Sequence, residues 1–168
     1  MIKLLYGYYM KLNEGIEWAL HSVSILAALP PGATLPTKTL AEYYALSETY
    51  LAKHMQALAA AGIAESVPGP KGGYRLTRPA EEITILDVVE AVDGKEPIFR
   101  CTEIRQRGPL ACAPETYRVP CGIHVAMAKA EKAWREALRV QTIAGMLANY
   151  NKNVTPEQRE RAFDWFGE

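Results

Sequence analysis

"SETYLAKHMQALAAAGIAESVPGPKGGYRL", Ser47 to Leu76, changes its period halfway along. Ser47 suits a helix N-cap, Leu51, Met55 and Leu58 recur on one helical stripe, and Gly62 closes the segment. From Ile63 the pattern becomes a short strand, a Pro/Gly turn and a second strand, the signature of a β-hairpin. Just upstream, "TKTLAEYYAL" predicts a shorter helix with Thr39 as its cap, joined through a tight junction at Ala45 to Ser47. Two short helices with such a junction have the proportions of a helix-turn-helix, and a hairpin directly after it makes a winged helix. The expected fold is therefore mainly α with a small β-hairpin wing.

Working outward, Asn13 is placed to cap a first helix carrying Ile16, Ala19, Leu20, Val23, Leu26 and Ala27 until Pro30-Pro31 stops it. After the hairpin, "EITILDVVEAVDG" predicts an amphipathic helix ending at Gly94. Residues 95 to 121 are rich in proline, glycine, arginine and cysteine and show no regular element, an unusually long irregular loop for a compact domain. From Gly122 a long helix returns, with Ile123, Met127, Ala130, Trp134, Ala137 and Gln141 at alternating steps of four and three. That seam suits packing against a second copy of the helix, which favours a homodimer, the plain alternative being that the helix packs on its own domain. "TPEQRERAFDWF" reads as a last short helix capped by Thr155. The expected organisation is an extension over 1–9, a winged helix-turn-helix over 10–94, a cysteine-bearing loop over 95–121, and a dimerisation helix with a tail over 122–168.

With 168 residues, the chain is long enough to bury a core without cross-links. Three cysteines, an odd number with no convincing secretory segment before them, place it in reducing cytoplasm, where clustered thiols point to metal or redox chemistry. The longest uncharged run, Trp18 to Thr37, is broken by His21 and by Pro30-Pro31, which argues against a membrane span. Formal net charge is zero, so a basic surface has to be local. Between residues 37 and 79, Lys38, Lys53, Lys71, Arg75 and Arg78 outnumber Glu42, Glu48 and Glu65 by two.

The second helix of a helix-turn-helix enters the major groove by its N-terminal end. Candidate DNA contacts are Thr39, Ser47, Thr49 and Tyr50, followed by Lys53, His54 and Gln56 on later turns, and Lys71, Gly72, Gly73, Tyr74 and Arg75 in the wing. Hydroxyls at a helix N-terminus suit phosphate oxygens, and glycines let the backbone approach closely. The plain alternative is that Gly72-Gly73 makes a tight turn while the tyrosines pack. "GPKGGY" has neither the spacing of a P-loop nor that of a dinucleotide fingerprint. No nucleophile motif and no H-E-x-x-H occurs, so an enzyme is not expected.

"MKLNEGIEWALHSVSILAAL", "TLAEYYALSETYLAKHMQALAAAGI" and "PKGGYRLTRPAEEITILDVVEAVDG", with a later cysteine-bearing loop, resemble the Rrf2 family of bacterial winged-helix transcription regulators, from Met10 to the end of the long helix. This family includes an iron-sulfur assembly repressor and a nitric-oxide-sensing repressor. The resemblance implies a homodimer, read as a repressor, on a pseudo-palindromic double-stranded DNA operator. It also implies that cysteines in the loop before the long helix hold an iron-sulfur cluster responsive to oxidants, nitric oxide or iron supply.

Cys101, Cys112 and Cys121 occupy that loop, ten and eight residues apart, a wider spacing than is common in cluster-binding members. A [2Fe-2S] cluster needs four protein ligands, so three thiols are one short. The resemblance implies either a histidine just after the last cysteine, here His124, or an acidic side chain on the partner's first helix, here Glu17 with His21 one turn on. The preferred arrangement puts Cys112 and Cys121 on one iron and Glu17 and His21 from the other subunit on the second, leaving Cys101 spare. Thiol oxidation without a cluster remains open, as does zinc, although the C-x-x-C knuckle usual for zinc is missing.

Overall fold

The structure is a computed structural model that describes residues 12–70 and 72–167. The 1–9 extension and Lys71 lie outside the described residues. The first helix, α1 (Glu14–Ala28), opens where the Asn13 side chain accepts the Gly15 N–H at 2.9 Å. It buries Ile16, Ala19, Val23 and Leu26. Two shorter helices follow, α2 (Thr37–Tyr44) and α3 (Glu48–Ala60), with Ala45 in the left-handed region at φ 53° forming the junction. Gly62 ends α3 at φ 68°, a conformation that glycine adopts without strain.

Helix α2 starts three residues earlier than the Thr39 cap predicted. Pro36 is its N-cap residue, and the Pro36 carbonyl accepts the Leu40 N–H. The cause is long-range. Leu35 is tied to Tyr74 by a pair of backbone hydrogen bonds of 3.0 and 2.8 Å, which delivers the chain to Pro36 already extended.

Strands β1 (Ala64–Val67) and β2 (Gly73–Leu76) form the predicted antiparallel hairpin, Ala64 opposite Leu76 and Val67 opposite Gly73. Helix α4 (Ile85–Asp93) opens on a complete capping box between Thr84 and Asp87 and ends at Gly94, as its sequence predicts. Leu40, Leu51, Met55, Leu58, Ile63, Ile83, Val23 and Val88 are fully buried together at the centre of the winged helix. Each such aliphatic side chain contributes about 1.5–3 kcal/mol.

Beyond α4 the structure departs from expectation in three places. The 95–121 loop holds two short 3-10 turns, Ile104–Gln106 and Pro114–Tyr117, where no element is predicted. Helix α5 (Gly122–Arg139) stops before Gln141, whose carbonyl instead accepts the Ile85 N–H at 2.9 Å. A further helix, α6 (Ile143–Asn153), then returns to the domain, capped by Thr142 and with Ile143 wholly buried. Ile143 N–H donates to Ile83 at 2.9 Å beside a Thr84 to Thr142 bridge, and this pairing breaks the long helix and turns the chain back. The last helix, α7 (Pro156–Gly167), starts at the predicted Thr155, whose hydroxyl accepts the Gln158 N–H. It sets Trp165 and Phe166 on Tyr43 of α2, with ring centroids 5.1 and 4.6 Å apart. Among the described residues no helix is long and apolar enough to cross a membrane.

Candidate functional site

Helix α3 has two faces. Leu51, Met55 and Leu58 point into the core, whereas Thr49, Lys53 and Gln56, spaced i, i+4 and i+7, are exposed on one stripe. At its N-terminus the exposed Ser47 hydroxyl accepts the Tyr50 N–H at 3.4 Å, and the remaining free amides of the first turn face outward, as an anion requires. Tyr50 is 38% exposed and stands edge-on to Trp18 and His54, at 5.1 and 4.8 Å between centroids. Lys53 Nζ lies 6.0 Å from the Tyr50 ring.

Several predicted DNA contacts are occupied elsewhere. His54 is only 7% exposed, its ring lying against Gly15 of α1, because it falls on the same stripe as Leu51 and Leu58. Thr39 is half-buried in the first turn of α2. Tyr74 is bonded through its backbone to Leu35 and packs its ring on the core. Gly73 lies so close to the Leu35–Pro36 backbone that a Cβ there has no room, and Gly72 closes the tight turn by donating to Gly69 at 2.9 Å. Arg75 is exposed on the wing and pairs with Glu65 at 2.7 Å.

The second candidate region is the cysteine loop. All three cysteines are free thiols, with Cys112 exposed and the other two half-buried. Glu103, in the left-handed region at φ 46°, organises one side of the loop. Its carboxylate accepts the Cys101 thiol at 3.4 Å and the Arg105 guanidinium at 2.8 and 3.0 Å. Arg105 foremost holds Glu103 below the usual carboxylate range, with the Cys101 hydrogen bond and the His124 charge acting the same way.

Cys121 is the N-cap residue of α5. The backbone N–H groups of His124 and Ile123 push its thiol below the ordinary thiol range, and Arg105 adds to this. His124 keeps Nδ1 buried with no hydrogen-bond partner. Cys112 sits apart from these groups, its N–H donated to the Tyr117 hydroxyl at 3.0 Å, while that hydroxyl donates to the Arg105 carbonyl at 3.1 Å.

Glu17 and His21 are placed differently. Both are exposed on α1 and line a mainly apolar groove of about 1050 Å³ that none of the three cysteines lines. Its other walls include Tyr43 and Tyr44 of α2, Met146, Leu147 and Tyr150 of α6, and Arg159 and Phe166 of α7. His21 Nδ1 is 3.5 Å from the Tyr44 hydroxyl, whose acidity burial suppresses most, followed by Tyr43 and Tyr150. Among the described residues, one protomer gathers no three His, Cys, Asp or Glu side chains at metal-binding spacing.

Sequence reasoning missed Glu103, Arg105 and Tyr117, which lie in a loop without period. It also missed the groove, two of whose walls belong to the unforeseen α6 and to α7.

Residues 12–149 match the Rrf2 family model, described as an iron-dependent transcriptional regulator. A protein named as the HTH-type transcriptional regulator YwgB of Bacillus subtilis (strain 168) is 34% identical over 137 residues, covering 80% of this chain and 82% of the relative. Among solved structures, the oxidized form of Staphylococcus aureus CymR superposes with a TM-score of 0.61 at 26% identity, covering 82% of this chain and 96% of that one. The T. potens IscR structure superposes at 0.65 with 22% identity, covering 87% and 92%.

Proposed function

This chain belongs to the Rrf2 family of DNA-binding transcriptional regulators, and from that premise we propose that it acts as a homodimer whose grip on a pseudo-palindromic operator is set by a [2Fe-2S] cluster. DNA meets the N-terminal end of α3 and the wing in this reading: Ser47, Thr49 and Tyr50 at the first turn, Lys53 and Gln56 on the outer stripe, and Arg75 on the hairpin. The phosphate contacts position the protein, and the α3 side chains meet base edges.

The dimer reading is supported by α5. Its eighteen residues include none that is buried, and Ile123 and Met127 are 66% and 41% exposed. An amphipathic helix left bare on its apolar side has its partner elsewhere, and a second α5 presents the same seam.

One observation carries the cluster reading: His124 keeps a buried, unpartnered Nδ1 at the turn where Cys121 is already biased toward thiolate. A buried polar atom without a partner costs about 1–3 kcal/mol and calls for an explanation such as an ion. Thiolates and a neutral imidazole nitrogen are donors that iron-sulfur clusters accept. Cys121 and His124 are the ligands this supports, and Cys101 and Cys112 would complete the set only if the loop rearranged, since no three such side chains of one protomer lie at metal-binding spacing among the described residues. The crossed set, with Glu17 and His21 supplied by the partner, has less support, because those side chains line the groove. When bound, the cluster supplies a redox-active centre open to oxidants and nitric oxide. For its part, the chain biases Cys121 toward thiolate through two backbone N–H groups and Arg105, and fixes Glu103 beside Cys101.

A second reading, thiol oxidation without a cluster, is favoured by the same depressed Cys121 thiol and by the likeness to CymR, a relative solved in an oxidized form. Iron and acid-labile sulfide, measured after oxygen-free purification, separate the two. The cluster reading expects a coloured protein that Cys121→Ala bleaches, with a displaced visible band in His124→Ala and an unchanged spectrum in Glu17→Ala. A colourless, iron-free preparation that forms a defined disulfide on peroxide treatment selects the thiol reading. Titration of operator DNA at fixed salt tests the binding itself, since phosphate contacts make affinity steeply salt-dependent.

A further inference from the structure

Besides His124, one other histidine nitrogen is buried without a hydrogen-bond partner among the described residues: His54 Nε2. The residue is only 7% exposed. It lies flat against Gly15, where a Cβ would collide with three ring atoms, and it meets Tyr50 edge-on at 4.8 Å and Trp18 at 6.3 Å. Trp18 meets Tyr50 edge-on at 5.1 Å, which closes a triangle of three rings between α1 and α3. Tyr50 is its only exposed corner, and it stands at the first turn of the helix assigned to DNA.

We infer that His54 is a positioning residue for DNA binding: its neutral ring, wedged between Gly15 and Trp18, holds Tyr50 at the α3 N-terminus, and protonation of that ring releases it. This rests on α3 being the DNA-reading helix.

The surroundings oppose a charged ring. Burial is the larger influence lowering His54 below its ordinary value of 6.5, and the Lys53 ammonium acts in the same direction. On α1, the Gly15 contact is at the positive end of the helix dipole, and the first-turn carboxylates Glu14 and Glu17 are exposed. On α4, which also packs on α3, Glu90 is held by Arg135 and Lys95, and Asp87 by Arg78 and Thr84, while Asp93 is exposed. On α3 itself Glu48 is exposed. Among the described residues none of these carboxylates hydrogen-bonds His54 Nε2.

The sign follows. With the pKa lowered in the docked state, the released state takes up more protons, so docking is complete above the ordinary value of 6.5 and weakens as pH falls below it. From about pH 7.5 to about pH 5.5 the ratio of released to docked ring rises by up to about tenfold, the limit in which the docked ring stays neutral throughout.

The experiment measures affinity for a fluorescent duplex carrying the promoter of the protein's own gene, at fixed salt and across that pH range. Wild type is expected to lose affinity toward the low end, by no more than about tenfold. His54→Phe, which keeps an aromatic wedge that cannot titrate, is expected to stay flat across the range. His54→Gln, neutral but unable to stack, is expected to bind about tenfold more weakly at both ends. A His54→Phe profile as steep as wild type, or a His54→Gln affinity equal to wild type, overturns the inference. Lys53→Ala is the separate control: if it leaves operator affinity untouched, the assignment of α3 to DNA has failed instead. Should His54→Gln not fold, NMR titration of wild type decides, with a His54 midpoint below 6.5 that shifts the Trp18 indole in step. A midpoint at or above that value overturns the inference.

Discussion

Gly15→Ala should destabilise the protein, although helix propensity alone says otherwise. Gly15 lies in the first turn of α1, and replacing a helical glycine by alanine ordinarily gains up to about 1 kcal/mol, less near an end where the backbone is only partly committed. Here the added Cβ falls inside contact distance of Cε1, Nε2 and Nδ1 of His54, so a rotation of the ring about its own bond leaves at least one clash. The ring cannot retreat freely, because Trp18 and Tyr50 stand beside it. Overpacking of this kind costs about 1–3 kcal/mol, and after subtracting the propensity gain the net loss is about 1–2 kcal/mol. Urea denaturation at one fixed protein concentration is the assay, because a dimer's midpoint moves with concentration. With a slope of about 2 kcal/mol/M, the midpoint should fall by about 0.5–1 M with the slope unchanged. Gly15→Ala placed on His54→Ala should cost nothing or be favourable, giving a coupling energy of about 1–2 kcal/mol. A single Gly15→Ala variant that raises the midpoint would refute the reasoning, since the ring could then not be seated on the glycine.

Other expectations can be checked independently. Arg135→Met leaves Glu90 and Glu131, which it holds at 2.7 and 2.9 Å with side chains 18% and 14% exposed, without their shared cation. Thermal or urea unfolding should report a loss of about 2 kcal/mol, below the full cost of breaking a buried pair because solvent retains access. Thr84→Ala removes one half of the α4 capping box and should cost about 1 kcal/mol, read by the same unfolding curve. Iodoacetamide followed by peptide mass spectrometry should find apo-protein Cys121 reacting at pH values below its ordinary 9.0. A Cys121 profile centred at or above that value would contradict the effect of the α5 N-terminus.

Where the chain punctuates itself, the sequence is sufficient. Asn13, Ser47, Gly62, Thr84 with Asp87, and Gly94 mark helix ends by local chemistry, and each lies at the end it signals. Failures cluster where a distant contact decides. Pro36 displaces Thr39 as the start of α2 because Tyr74, far along the chain, fixes Leu35, and α6 exists because Ile143 finds Ile83 across a bridge that no local pattern encodes. His54 was legible after all. It lies three residues after Leu51 and four before Leu58, on the buried stripe, but its polarity invited a surface reading. In the cysteine loop, composition marks the region, whereas the pairing of Glu103 with Arg105 and of Tyr117 with Cys112 depends on backbone turns that leave no periodic trace.

The way a sensor at Cys121 can reach DNA is constrained by what holds α5. That helix buries no residue of its own, and it is tied to the winged helix just past its C-terminal end, where the Gln141 carbonyl takes the Ile85 N–H, and through one side-chain hub. Arg135 bonds Glu90 at the end of α4, Glu131 one turn away, and the carbonyls of Lys95 and Glu96, while Glu131 also takes the Ile98 N–H at the start of the cysteine loop. Helix α4 in turn packs on both α1 and α3, whose core side chains are fully buried. A densely packed core yields little, whereas a helix held by exposed seams and one arginine yields readily. Binding or modification at Cys121 and His124 acts on the first turn of α5, five Å of helix rise per turn away from its nearest firm anchor by about two to three turns. In the proposed dimer, strain applied there would therefore be relieved by swinging α5, and with it the other subunit's winged helix, rather than by distorting α3 within its own domain. In the proposed dimer, regulation through this site would work on the spacing of two recognition helices, to which a two-fold operator is most sensitive.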